Sequence, residues 1–225
     1  MMIRWGDRVA RRSAILAVAG SLLREQGLSA LQMREVARRA GIALGTVYTY
    51  FPTKEGLYAA MYAQRLDEML DELEPKLASM TDLEELFVVI ATSYRDVYAE
   101  FGKELDILAV AGGRSNLAPE IRDQLVASAG RLLAAVRSIL VRAAEKGIYA
   151  GAADPDLVLT LLWSTVTGLA DHFTSIRHEM HRHTWDDTVR FAAHTLIRGL
   201  VEGPVPQAFS GMPQIDAESD ARIEG

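Results

Sequence analysis

Apolar residues at Met33, Val36, Ala37 and Ala40 recur at the i, i+3, i+4, i+7 spacing of one helix face, and Gly41 follows at once, where helices commonly end in a left-handed residue. The chain is thereby committed to a short helix and a sharp turn. After the turn, Ile42 and Val47 are the apolar positions that a second short helix buries, which leaves Thr46, Tyr48, Thr49 and Tyr50 with hydroxyl groups on its remaining surface. Two helices joined by a short turn containing Gly form a helix-turn-helix, whose second helix lies in the major groove of DNA. Met33 to Ala40 alone would equally suit an ordinary helical hairpin. The aromatic run decides against that, because Tyr48 and Tyr50 carry hydroxyls that a core must satisfy individually, whereas phosphate oxygens, sugars and bases accept them readily.

Residues 41–54, GIALGTVYTYFPTK, resemble the signature of the TetR family of bacterial transcriptional regulators: a turn glycine, the run Gly-Thr-apolar-Tyr-x-Tyr-Phe, then a polar residue and a Lys that opens the next helix. The resemblance spans about residues 11–58 and beyond that extends only to architecture. It implies an all-α fold, with an N-terminal three-helix domain containing the helix-turn-helix and a C-terminal helical domain for ligand binding and dimerisation. Carried over residue by residue, Thr46, Tyr48 and Tyr50 lie on the recognition helix and Lys54 contacts a phosphate. With Arg34, Leu44, Gly45 and Thr49 they form the candidate DNA-contacting set. Two positions depart from the pattern. Gln32 stands where the family usually has a Ser or Thr cap, and Gln caps poorly. Leu44 stands where a polar residue is common; it has no hydrogen bond to offer a base edge but can touch a thymine methyl.

Charge is divided along the chain in the same sense. Residues 1–55 hold nine basic and four acidic groups, net +5, and the remaining 170 residues hold 15 basic and 26 acidic groups, net −11. Counterion release from phosphates needs local positive charge rather than a basic chain overall, and the acidic remainder opposes indiscriminate coating of nucleic acid.

Arg11-Arg12 followed by SAILAVAGSLL superficially resembles a twin-arginine or secretory signal. Ile15, Val18, Ala19, Leu22 and Leu23 fall on one helical face, however, with Ser13, Gly20 and Ser21 on the other, and a signal core needs no face. The first helix of a DNA-binding head accounts for the segment better, and the resemblance makes Arg11 and Arg12 further candidates for the DNA backbone. Nearly half the residues are apolar, enough for a substantial core, and there is no cysteine, which excludes disulfides and thiolate ligands. No other uncharged run approaches the roughly 18 residues of a bilayer span, so the expected location is cytoplasmic.

Beyond Lys54 the pattern predicts further helices: Thr53 to Leu73, stopping before Pro75; Asp82 to Phe101; Lys103 to Val110; Pro119 to Gly147; Asp154-Pro155 to about His178; and Thr184 to Gly203. The expected organisation is a DNA-binding domain over 1–53, an effector-binding and dimerisation domain over 54–203, and a loose Pro-, Gly- and acid-rich tail over 204–225.

The last two long helices carry the candidate self-association face, Leu161, Thr165, Gly168 and His172 on one with Val189, Ala192, Leu196 and Leu200 on the other; any one of these residues serves a core equally well. Candidate effector-binding residues are Tyr94, Tyr98, Phe101, Trp163, Thr167 and Asp171, aromatic or polar groups on otherwise apolar faces. The histidines offer a rival reading, a metal site or a hydrolase. His178-Glu179-Met180-His181 is one residue short of the H-E-x-x-H spacing, and neither a nucleophile elbow nor a cysteine nucleophile is present. The expectation is therefore no enzyme, no metal and no cofactor, but a ligand-responsive regulator, a repressor by preference, that binds a pseudo-palindromic operator as a homodimer. A helical metal-binding protein, or a DNA-binding protein without ligand control, is the alternative.

Overall fold

The computed structural model describes residues 8–101, 117–148 and 154–202. The predicted helix over Lys103–Val110 and the tail over 204–225 fall outside them. The described residues form eight α-helices and no strand: α1 (Arg8–Gln26), α2 (Met33–Ala40), α3 (Leu44–Tyr50), α4 (Lys54–Ser79), α5 (Leu83–Phe101), α6 (Pro119–Glu145), α7 (Pro155–Phe173) and α8 (Trp185–Glu202).

Helices α1 to α3 make the head. Ile15, Leu22, Leu31, Val36, Val47 and Phe51 are almost completely buried, so the face read from the spacing is the face that packs. Helix α4 then runs from the head into the rest of the molecule. Thr53 caps it, its Oγ1 accepting from the Gly56 amide at 2.9 Å, and Leu57 to Ala63 are buried without interruption. The helix does not stop before Pro75 as expected but continues to Ser79 with Pro75 inside it. A proline there forfeits one backbone hydrogen bond. Leu73 and Leu77 are buried on either side of it, and their packing holds the helix together across the exposed ring.

Around α4 lie α5 and α6, with α7 and α8 packed on α5. Sequence signals at helix starts act as read: Asp82 accepts from the amides of Glu84 and Glu85, Asp154 from that of Asp156, and Thr184 and Asp187 cap each other reciprocally. Helix α7 ends at Phe173, earlier than expected, and a 3-10 turn (Ile176–Met180) follows. The Thr174 hydroxyl donates to the Ala170 carbonyl at 2.8 Å and that of Ser175 to the His172 carbonyl at 3.0 Å, local bonds that accompany the end of the helix.

By length and composition α6 is apolar enough to cross a bilayer, with a mean hydropathy of 1.4 over an 18-residue stretch. It is a layer of this fold: it packs on α4 and α7, and two of its outward cations are paired, Arg131 with Asp67 and Asp71 at 2.9 Å and Arg137 with Asp156 at 2.6 Å.

Because the Thr53 cap stands where the head passes into α4, Thr53→Ala is expected to lower unfolding stability by about 1 kcal/mol in urea denaturation monitored by circular dichroism. A loss below about 0.3 kcal/mol would show that the packing of Phe51 and Leu57, rather than the cap, fixes this corner.

Candidate nucleic-acid interface

The turn between α2 and α3 depends on Gly41, which holds φ 64° and ψ 34°, the left-handed conformation that a residue with a Cβ adopts at a cost. It aims α3 so that Val47 faces the core while Tyr48 remains 45% exposed, with Gly45 and Thr49 on the same open side. Gln32 makes no side-chain cap to α2, as its chemistry implies.

The candidate DNA-contacting residues occupy distinct settings. Tyr48, Thr49, Gly45 and Arg34 are exposed, whereas Thr46, Leu44, Tyr50 and Lys54 are half-buried. Leu44 and Tyr50 pack partly against the core. The Thr49 hydroxyl donates to the Gly45 carbonyl at 2.9 Å, and Lys54 donates to the Leu28 carbonyl at 3.1 Å, which positions an ammonium that keeps two further donors.

Much of the head's formal positive charge is committed internally. Glu35 accepts from Arg38 at 2.7 and 2.5 Å and from Arg39 at 3.0 Å, and these bonds, that of Arg38 foremost, hold its carboxyl down to about 2. Arg39 also reaches Glu25 at 2.6 Å, and Arg24 pairs with Glu100 of α5 at 3.2 Å. Arg12, a candidate for the backbone of DNA, turns inward: it donates to Gln124 of α6 at 2.6 Å and lies 5.3 Å over the Phe51 ring, and its loss of hydration lowers its pKa. Arg34 is exposed and makes no such pair among the described residues. The spacing of Glu35 three and four residues before Arg38 and Arg39 was the sequence signal for this neutralisation.

Farther from the head, Tyr94 and Phe101 are buried, and Tyr98 donates to Asp171 at 3.1 Å. Asp171 also pairs with Arg177, and Thr167 bonds the Trp163 carbonyl of its own helix. Of the six candidate effector-binding residues, Trp163 lines an apolar slot between α5, α6 and α7; its ring lies 4.7 Å from that of Tyr94. On the candidate self-association face Leu161 and Gly168 are exposed, Thr165, His172, Ala192, Leu196 and Leu200 are half-buried, and Val189 lies wholly within the protomer core. Two exposed apolar residues join this region, Leu157 on α7 and Phe191 on α8, the latter two positions away from Val189 and outside the stripe read from the sequence. Among the described residues no three His, Asp or Glu side chains are placed to hold a metal ion; the rings of His172 and His181 lie 5.0 Å apart.

A buried three-helix head that leaves one face of its third helix open to a groove defines a helix-turn-helix DNA-binding regulator. Residues 15–61 match the bacterial regulatory proteins of the tetR family. The chain is 22% identical over 157 residues to the fatty acid metabolism regulator protein of Bacillus subtilis, covering 70% of this chain and 78% of that protein. It is 32% identical over 90 residues to the transcriptional repressor KstR2 of Rhodococcus jostii, covering 40% and 44%. The structure of FadR from Bacillus subtilis in complex with stearoyl-CoA superposes with a TM-score of 0.58 at 18% identity over 86% of this chain and 99% of that one, a likeness of fold. The protein is a TetR-family transcriptional regulator and not an enzyme.

A Cβ built at Gly45 meets nothing within 4 Å, so the fold itself has no need of glycine there. Gly45→Ala is expected to raise unfolding stability by about 0.5–1 kcal/mol through helix propensity, while weakening DNA binding at least fivefold in fluorescence anisotropy. Unchanged binding would remove Gly45 from the contact surface. Glu35→Gln releases Arg38, so it should tighten binding to specific and random duplexes alike and steepen the salt dependence by about one unit; an unaltered slope would place Arg38 away from phosphate.

Proposed function

We propose that this regulator is a homodimeric repressor that binds a pseudo-palindromic operator and is released from it by a small-molecule effector, acting in the cytoplasm. The observation that carries the reading is α3, whose buried Val47 leaves Gly45, Tyr48 and Thr49 uncovered on a head rich in Arg. Residues 1–53 act as the DNA-binding unit and 54–203 as the effector-binding and dimerisation unit, with 204–225 as a tail. Thr46, Tyr48, Thr49 and Tyr50 read the groove with Leu44 and Gly45 in close approach, while Arg34 and Lys54 hold phosphates on either side.

Two-fold symmetry doubles what one short helix can read. The face supporting a dimer is the row Leu157, Leu161, Thr165, Gly168 and His172 of α7, together with Phe191, Ala192, Leu196 and Leu200 of α8. Exposed leucines at 42% and 47% and a phenylalanine at 72% on adjacent helices are apolar area that a second copy would remove from water. Repression accords with the name of the Rhodococcus relative, and effector control with the acyl-CoA bound to the Bacillus protein of the same fold. The candidate effector-binding residues remain Tyr94, Tyr98, Phe101, Trp163, Thr167 and Asp171, of which Trp163 borders the apolar slot. The effector acts by preferring the arrangement of heads that does not fit the operator, a coupling of about 1–3 kcal/mol.

Selection of bound duplexes from random DNA tests the reading and should return an inverted repeat. On that duplex, Tyr48→Ala and Thr46→Ala are expected to lose specific affinity with little change on random DNA. Lys54→Ala should weaken both and flatten the salt dependence by about one unit. Equal losses in all three variants would refute the division of roles. Leu161→Arg with Phe191→Arg should convert a dimer into a monomer in light scattering and weaken operator binding at least tenfold; a wild-type monomer in the presence of the selected duplex would end the dimer proposal.

A further inference from the structure

Helix α3 reads Leu44-Gly45-Thr46-Val47-Tyr48-Thr49-Tyr50 and carries none of the side chains whose hydrogen bonds identify a base. In the major groove those are Arg or Lys on guanine, Asn or Gln on adenine, and Asp or Glu on cytosine. The whole stretch from Gly41 to Thr53 lacks them. The neighbouring cations belong to other elements: Arg38 and Arg39 of α2 hold Glu35, and Lys54 of α4 bonds the Leu28 carbonyl. What α3 offers a groove is therefore hydroxyl and hydrocarbon. A hydroxyl both donates and accepts, so alone it separates the bases poorly. Thr49 has in addition spent its one donor on the Gly45 carbonyl at 2.9 Å, which leaves the Cγ2 methyl as the unengaged end of an exposed side chain.

Residues three and four apart are neighbours on a helix surface, so Leu44 stands beside Tyr48, and Gly45 beside both Tyr48 and Thr49. Gly45 has no side chain, and a Cβ built there meets nothing within 4 Å. The open face of α3 is thus a shallow notch with Gly45 as its floor and Leu44, Tyr48 and Thr49 around it. Leu44 is half-buried and packs partly on the core, which steadies that wall, and the exposed Ala43 adds a methyl in front of it. Thymine is the base that presents an alkyl group to the major groove, its C5-methyl. That methyl gains from burial against hydrocarbon, whereas the amino group of cytosine or adenine pressed against the same walls gives up water without a partner in return.

We propose that α3 selects its half-site by the C5-methyl groups of thymine, received in the notch over Gly45 between Leu44, Tyr48 and Thr49, rather than by hydrogen bonds to base edges. The proposal rests on the operator-binding reading above and adds the chemical feature of DNA that is recognised. It assigns Thr49 in particular a role opposite to the one its hydroxyl suggests, as a methyl donor to an apolar contact.

The probe is the duplex recovered by selection from random DNA, compared with copies in which each thymine of a half-site is replaced in turn by deoxyuridine, which differs only in lacking the C5-methyl. Fluorescence anisotropy with the full-length protein should show a loss of about fourfold at one or more of these positions, the worth of one buried methyl, and no such loss when uracil replaces thymine in random duplex. Thr49→Ser keeps the hydroxyl and deletes the methyl, and Thr49→Val does the reverse; the first should cost at least threefold more specific affinity than the second. Leu44→Ala should cost at least twofold less on the uracil duplex than on the thymine duplex, a coupling that a merely destabilised head does not produce, because it weakens both alike. Equal binding of thymine and uracil duplexes, selected half-sites built of G·C pairs alone, Thr49→Val as the weaker of the two variants, or an equal cost of Leu44→Ala on both duplexes each overturns the inference. The two readings fail separately: if selection returns no preferred duplex, sequence-specific operator binding is itself refuted, whereas a preferred duplex indifferent to the methyl leaves operator binding standing and refutes this inference alone.

Discussion

The first turns of α4 are covered on every side, and the two halves of the molecule are joined there. From Gly56 to Ala63 every residue is buried, a pattern that a surface helix with a single apolar stripe does not show. The head covers one side through Phe51 and α1, Phe101 of α5 another with its ring edge-on to Tyr58 and Tyr62, and Ile121 of α6 a third. Tyr58 donates to the Phe101 carbonyl, which fixes the last turn of α5 against the first of α4. Edge-to-face aromatic pairs contribute about 0.5–1.5 kcal/mol each beyond their area. Two such pairs and a buried hydrogen bond make this corner a single packed unit. A displacement of α5 or α6 is consequently felt by the head with no linker to absorb it.

What could be read from the sequence divides along the line between local and tertiary causes. The turn at Gly41, the buried face Met33-Val36-Ala37, and the caps at Thr53, Asp82, Asp154 and Thr184 depend on residues within a turn of one another, and each takes the form its spacing implies. Pro75 was misleading because its local cost is outweighed by leucines that bury against other helices, which no window around the proline reveals. The end of α7 at Phe173 was legible in principle, since Thr174 and Ser175 are residues whose hydroxyls compete for helix carbonyls.

The candidate effector-binding residues show the same limit more sharply. Tyr94, Tyr98, Trp163 and Asp171 were singled out as polar or aromatic groups on apolar faces, and the structure brings them together as a connected set: Trp163 on Tyr94, the hydroxyl of Tyr94 3.4 Å from that of Tyr62, and Tyr98 on Asp171. Burial, with Tyr94 beside it, pushes the Tyr62 hydroxyl far above its ordinary value, so it stays a neutral hydrogen-bonding group at any physiological pH. Apart from Trp163, the slot is made of leucines, valines, an isoleucine and a phenylalanine, residues that look like plain core in sequence. Polarity singles out a residue to a reader of sequence, whereas a cavity is a failure of packing among distant segments.

Charge in the head leads to a last consequence. A sum of nine basic groups against four acidic ones suggests a strongly adhesive surface, yet Arg38 and Arg39 share Glu35, Arg39 also holds Glu25, Arg24 is drawn to Glu100 and Arg12 faces Gln124. These four guanidinium groups are committed within the protein, so the sequence-independent part of the affinity is smaller than the count of basic groups suggests. In the proposed homodimer, two heads engaging two half-sites together would supply the affinity that a single head lacks. The proposed arrangement would make the spacing between heads the quantity to control. Under that proposal, a shift transmitted through the closely packed start of α4 would displace a head from its half-site and weaken the whole complex.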